Sequence, residues 1–210
     1  MSPDQQLVRG LEVLDLTLAP SRVEKLLGYL ALLAKWNKVY NLTAVRDESR
    51  MVSHHLLDSL AVLPHIGAMR MLDVGSGGGL PGIPLSIARP EMQVTLLDSN
   101  QKKAAFLKQA AIELELDNVE VTGERVEKFQ GTKGYDLIIS RAFADLGEFV
   151  SAARHLVLPD GLFVAMKGVY PNEEIGHLPA GFKVDRVVPL TVPWLDAKRH
   201  LVIVSTHSHE

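Results

Sequence analysis

Met71-Leu72-Asp73-Val74-Gly75-Ser76-Gly77-Gly78-Gly79-Leu80-Pro81-Gly82-Ile83-Pro84 is the stretch that decides the fold. It reads as a short apolar strand ending in an acid, a run of glycines, and the start of a helix. Four of the chain's 16 glycines fall within five residues, and Gly82 follows. Glycine is entropically costly to order and packs nothing. Such a cluster marks close approach of a ligand to the backbone, or a turn in which a Cβ would clash. In an open α/β sheet, that turn is where an adenosine-containing cofactor lies. The flanking strand and helix signals argue against a flexible surface loop.

Downstream, strands and helices alternate. Gln93–Asp98 is a second apolar strand, again ending in an acid, and Ser99 or Asn100 caps the helix after it. Asn118–Val121 is a third strand, and Gly123–Glu127 is a loop or single turn. Tyr135–Ser140 is a fourth strand, apolar enough to be buried on both faces. A helix follows from Asp145 or Leu146 to about Leu156, and Pro159-Asp160-Gly161 predicts a turn. Leu162–Lys167 is a fifth strand. Phe182–Val188 and His200–Ser205 form a closing antiparallel pair, because no helix pattern separates them. This alternation predicts a parallel sheet wrapped by helices.

Upstream, Val23, Leu26, Leu27, Leu30, Leu33 and Ala34 mark one face of a helix from about Ser21 to Lys38, with Pro20 in its first turn. Lys35–Arg46 then holds two aromatics, two lysines, two asparagines and an arginine. Trp36 and Tyr40 either pack that helix down or form a surface that stacks bases beside phosphate-binding cations. Asp47 predicts a cap for a short helix reaching about His55. His54 and His55 are adjacent, not four apart, so they predict no helical metal pair. From Arg22 to Arg50 there are six Lys/Arg against three acids, the most basic region of a chain whose net charge is −3. Any nucleic-acid surface is therefore local. There are no cysteines, which excludes disulfides, cysteine–zinc sites and a thiol nucleophile. The first residues show no secretory signal and no apolar run spans a membrane, so a cytoplasmic chain is expected.

The glycine spacing alone leaves two cofactors open. Gly77, Gly79 and Gly82 satisfy G-x-G-x-x-G, the dinucleotide pattern. Asp73, Gly75, Gly77 and Gly79 give D-x-G-x-G-x-G, with the acid at the strand end. An acid there suits a sulfonium or an amino-acid moiety and repels a pyrophosphate. Two prolines at the helix start leave fewer N–H groups for phosphate. Together with the closing hairpin, these features favour S-adenosylmethionine. Asp98 stands where a ribose-binding carboxylate is expected.

Several stretches together resemble the bacterial ribosomal small-subunit RNA methyltransferase G family, also called glucose-inhibited division protein B. They are Lys35–Thr43, Leu56-Leu57-Asp58-Ser59, Asp73–Leu85, Ser140-Arg141-Ala142-Phe143, Lys167-Gly168 and Arg199-His200-Leu201-Val202. They run in family order over nearly the whole chain. The sequence departs from the family at His54, where relatives often have arginine, and at Gly78, where proline is common. The resemblance implies a class I S-adenosylmethionine-dependent methyltransferase: a Rossmann-like, seven-stranded, mostly parallel sheet with a C-terminal antiparallel hairpin. Residues 1–66 would be a helical extension packed on a core of 67–210. It implies methyl transfer to N7 of a guanine in 16S rRNA of the small ribosomal subunit.

By resemblance, Gly75, Leu80, Val126, Glu127 and Arg141 contact the cofactor, joined by Asp73, Gly77 and Asp98 of the strand ends and glycine loop. Gly75, Asp98, Glu127 and Arg141 are expected to converge at the carboxyl edge of the sheet. An arginine ending a buried strand needs a partner, and a cofactor carboxylate, a substrate or Asp73 could serve Arg141. Guanine N7 carries a lone pair and no proton, so no general base is expected and Arg141 has a positioning role. Trp36 or Phe143 could stack on the target base, and Lys38, Arg46, Lys167 and Arg199 could hold phosphates. No metal is expected, and a monomer is the default. Two other functions fit the same fold: a small-molecule methyltransferase, and a non-catalytic, cofactor-sensing RNA-binding module.

Overall fold

The structure is a computed structural model and describes residues 1–131 and 133–206. Seven strands form one sheet: β1 (Arg70–Val74), β2 (Gln93–Leu97), β3 (Val119–Thr122), β4 (Tyr135–Ser140), β5 (Val157–Lys167), β6 (Phe182–Leu190) and β7 (Arg199–Thr206). Their order is β3-β2-β1-β4-β5-β7-β6. The first five run parallel, and β7 lies antiparallel between β5 and β6. The strand order reverses at β1 and β4, and the carboxyl ends there define the crevice in which such sheets bind ligands.

Alternation along each strand divides the core into two layers. Met71, Leu137, Ile139, Val164, Met166, Leu201 and Ile203 face one side of the sheet. Leu72, Val74, Ile138, Phe163, Ala165, Val202 and Val204 face the other. Period-two alternation with both sets buried is what turns these strands into near-continuous apolar runs. The first side is covered by α1 (Pro3–Val13), α2 (Pro20–Tyr40), α5 (Gly82–Ala88) and α6 (Gln101–Glu113). The second is covered by α7 (Leu146–Ala153), through Leu146, Phe149, Val150 and Ala153.

Between α2 and β1 the chain runs through α3 (Glu48–Met51), a π-helical turn (Val52–Leu57) and α4 (Asp58–Leu60). Asp47 caps this segment, its Oδ1 accepting from Ser49 N at 2.9 Å. The helical segment therefore runs past His55. The π turn lets the wide apolar face of Val52, Leu56, Leu57 and Leu60 stay fully buried.

A second difference lies at Pro159-Asp160-Gly161. These residues do not separate a helix from a strand. They sit inside β5, where Tyr135 pairs Val157 but Leu137 already pairs Leu162. One residue of β4 thus faces four of β5, so the turn signal marks an internal bulge. No helix among the described residues is long and apolar enough to cross a membrane. No group of three or more His, Cys, Asp or Glu among them could hold a metal ion.

Candidate active site

The glycine loop is built by backbone bonds that leave its inner face open. Gly75 N and Ser76 N both donate to Leu97 O, at 2.8 and 3.1 Å, which ties the loop to the end of β2. Gly75, Gly77 and Gly79 all have positive φ, the region in which a side chain is strained. A Cβ on Gly75 would stand 2.8 Å from the Ala142 Cβ. Behind the loop, the Tyr29 hydroxyl of α2 donates to Gly78 O at 2.5 Å. The N-terminal helices therefore buttress the loop directly.

Two cavities open at this edge and share Gly75 and Ala142. The smaller, of about 290 Å³, is lined by Val74, Leu97, Asp98, Val126, Glu127 and Phe143 among others. Asp98 spans it: Oδ2 accepts from Gly77 N at 2.8 Å and Oδ1 from Asn100 N at 2.9 Å. The larger, of about 510 Å³, includes Gly77, Leu80, Asp58, Arg141, Lys167 and Arg199 in its wall. The four residues expected to converge are thus divided. Gly75, Asp98 and Glu127 share the smaller cavity, and Arg141 faces only the larger one.

Within the protein, Arg141 pairs with Asp58 rather than with Asp73. Its Nη1 donates to Asp58 Oδ2 at 3.2 Å. Arg199 Nε donates to the other oxygen, Oδ1, at 2.8 Å. The Asp58 side chain is 1% exposed, while those of Arg141 and Arg199 are 30% and 24% exposed. One buried acid therefore clamps two cations that still reach the cavity. Asp58 is a functional candidate to which sequence reading assigned no role. Its signal is a charged residue inside the apolar run Leu56–Leu60, and a buried charge calls for partners.

Asp73 lines neither cavity. It is fully buried, its Oδ2 accepts from Gly82 N at 2.8 Å, and its Oδ1 has no protein partner. Burial, above all, pushes its carboxyl up to about 7, against the Gly82 N–H and Arg141, which pull it down. Its geometric task is to fix the start of α5 under the glycine loop. His55, in the wall of the larger cavity, is the mirror case. Its ring Nε2 pairs with Thr43 Oγ1 at 3.0 Å and its Nδ1 has no partner. Burial and then the Arg141 charge hold it down to about 4, so the ring is neutral at physiological pH.

The RNA candidates divide as well. Trp36 is half-buried, with its ring 5.5 Å from that of Phe106, so it packs α2 onto α6. Phe143 lines the smaller cavity and packs on Phe149 at 5.3 Å. Lys167 donates to Phe143 O, Ala144 O and Glu174 Oε2, at 3.1, 2.8 and 2.7 Å. All three of its protons are engaged within the protein, which orders the loop after β4. Arg46 is exposed and donates to Asn41 Oδ1 at 3.1 Å. Lys38 and Arg46 line a separate notch of about 250 Å³.

The residues present fit an adenosyl cofactor, because the floor at Gly75 admits backbone only and a buried carboxylate stands beside it. A mostly parallel seven-stranded sheet with a reversed β7, opening beside a glycine loop at β1, defines a class I S-adenosylmethionine-dependent methyltransferase. Similar folds occur in a SAM-dependent methyltransferase from Aquifex aeolicus (TM-score 0.60, 21% identity, covering 83% of this chain and 97% of that one). Another is the O-methyltransferase TomG from Streptomyces achromogenes (TM-score 0.59, 16% identity, 99% and 100% covered). Closer in sequence is the ribosomal RNA small subunit methyltransferase G of Chromobacterium violaceum, 60% identical over 94% of this chain and 95% of that protein. The family model GidB, rRNA small subunit methyltransferase G, matches residues 22–202. The chain belongs to the ribosomal RNA small subunit methyltransferase G family.

Proposed function

We propose that this protein transfers the methyl group of S-adenosylmethionine to N7 of a guanine in 16S rRNA of the small ribosomal subunit, with the cofactor laid across both cavities. Family membership supports the activity. The observation that carries the placement is the shared floor at Gly75, where the two cavities meet over bare backbone. Asp98 faces the ribose, and the pocket around Val126 and Glu127 takes the base. Gly77, Leu80 and Arg141 flank the amino-acid end. The guanine enters the larger cavity.

When bound, the cofactor supplies an electrophilic methyl on a sulfonium. The protein's own contribution is alignment and exclusion of water. No proton has to be removed from N7, so the reaction asks for no general base, and the secluded Asp73 offers none. Guanine N7 becomes cationic on methylation, and Asp58 offsets the adjacent arginines. Two guanidiniums and one carboxylate leave a single net positive charge, so Arg141 can orient a ligand without repelling the product strongly. The guanine must leave its stack to reach this depth.

Residues 1–66 act in this reading as an extension that braces the core of 67–210 through Tyr29 and Asp58. One copy carries both cavities whole, so the active form is taken to be a monomer, working in the cytoplasm where ribosomes are assembled. The test is incubation of tritiated S-adenosylmethionine with small subunits from cells lacking the enzyme, then mass mapping of the RNA. Label at one guanine N7 of 16S rRNA is expected. Label absent from RNA overturns the proposal.

A further inference from the structure

With Trp36 committed to packing and Phe143 set inside the smaller cavity, neither ring lies open at the outer rim of the site. Tyr170 is an exposed aromatic near that rim. It follows β5 by three residues, beside Gly168, which lines the larger cavity. Tyr170 is 48% exposed and its neighbour Val169 is 73% exposed. Tyr170 is also held in place. Its ring meets that of His200 edge-on, with centroids 5.6 Å apart at 80°. The His200 Nδ1 is in turn 3.2 Å from Gly168 O. His200 follows Arg199, whose guanidinium Asp58 fixes in the cavity wall, and Lys198 is exposed beside it.

We propose that Tyr170, braced by His200, is a stacking platform for an unpaired base next to the target guanine, with Lys198 and Arg199 holding the intervening phosphodiester. This rests on the RNA reading of the active site and extends it outward. A flipped guanine leaves its neighbours unstacked, and a displayed aromatic face beside cations is the chemistry that receives such bases. A T-shaped brace covers at most one tyrosine face and leaves the other available, whereas a ring in the core offers neither. Charge complementarity selects RNA over an apolar protein segment, because two cations adjoin the platform.

The test measures kcat and KM with unmethylated small subunits, and S-adenosylmethionine affinity by calorimetry, for wild type, Tyr170→Ala, Tyr170→Leu and Tyr170→Phe. Tyr170→Ala and Tyr170→Leu should raise KM for the subunit roughly 5- to 150-fold, the range spanned by base–aromatic stacking. Tyr170→Phe should stay within about threefold of wild type, because the ring remains. Cofactor affinity and kcat should not change. Tyr170→Leu behaving like wild type would mean an apolar protein contact and overturns the proposal, as does an unchanged KM in Tyr170→Ala. The exposed position keeps folding out of the comparison, and equal melting temperatures check this. If wild type itself places no label in RNA, the enzyme reading fails instead, which separates the two.

Discussion

The two cavities that meet at Gly75 are built on different plans. The smaller is local: β1, the glycine loop, the end of β2 and the segment after β3 supply it, from Val74 to Glu127, with Ala142 and Phe143 closing one side. The larger draws on residues scattered from Leu42 to Arg199, and two of its cations, Arg141 and Arg199, are held by one acid that precedes the whole sheet. The difference separates what a class of enzymes shares from what a family adds. Binding an adenosyl group needs open backbone and a carboxylate, which one βαβ unit can provide. Placing a large anionic substrate needs cations held at depth, and these must be neutralised by groups from elsewhere in the chain.

The largest expected effect breaks the local cavity alone. Gly75→Arg forces a side chain into a backbone of φ +71° with Ala142 2.8 Å from the new Cβ. Strain and overpacking together should weaken S-adenosylmethionine binding by at least about 100-fold. Calorimetry reads this directly, and unchanged affinity would refute the floor at Gly75.

Asp58→Ala attacks the scattered cavity. It strands two guanidiniums, but both reach water, so the stability cost should be about 1–3 kcal/mol rather than that of a fully buried pair. Methyl transfer should fall more than stability does, and Asp58→Asn should retain part of both. Thermal unfolding alongside transfer rates measures the two effects. A variant that melts early yet transfers normally would reduce Asp58 to a structural brace.

Two buried titratable groups, Asp73 behind the glycine loop and His55 in the wall of the larger cavity, each carry an unpartnered atom and are shifted in opposite directions. Asp73 has its pKa raised from 3.8 to about 7. As pH rises through that window the unfolded chain releases the proton first, so stability falls. His55 is lowered from 6.5 to about 4. As pH drops through that window the unfolded chain takes up the proton first, so stability falls in the other direction. Between about pH 4 and 6.5 the two slopes oppose each other in wild type. Asp73→Asn should unmask a loss on acidification, and His55→Gln a loss on alkalinisation, each up to about 1.4 kcal/mol per pH unit. Urea unfolding across pH 4–8 decides it, and identical profiles for all three proteins would contradict both assignments.

The smallest effect concerns the outer surface. Arg46→Ala should raise KM for the small subunit roughly two- to threefold and lower the slope of log affinity against log salt by about 0.7. A small-molecule methyltransferase would show neither.

The same contrast explains what was legible in the sequence. Gly75, Asp98 and the strand alternation carry their meaning in residues close by, and the parallel sheet and closing hairpin were legible from local patterns, whereas the strand order was not. Pro159-Asp160-Gly161 misled because a turn signal does not state whether the chain leaves the sheet, and here β5 absorbs it as a bulge. The protein acceptors of Lys167, at Phe143, Ala144 and Glu174, were not legible because they are brought to it only by the fold. Asp58 was present in a family motif without a role, since its role consists of Arg141 and Arg199.

Those two partners follow Asp58 by 83 and 141 residues. During synthesis the acid therefore leaves the ribosome long before either counter-ion, and the second arrives with the last strand of the sheet. Until the first of them is made, an α3–α4 segment packed as in the finished protein would bury an unpaired charge, which is unfavourable. The substrate side of the enzyme is thereby completed only once β7 has been made, whereas the glycine-loop side can assemble once β3 and β4 are made. A nascent chain halted before Arg199 should lack the ordered arginine fork, and should engage RNA only after β7 has emerged.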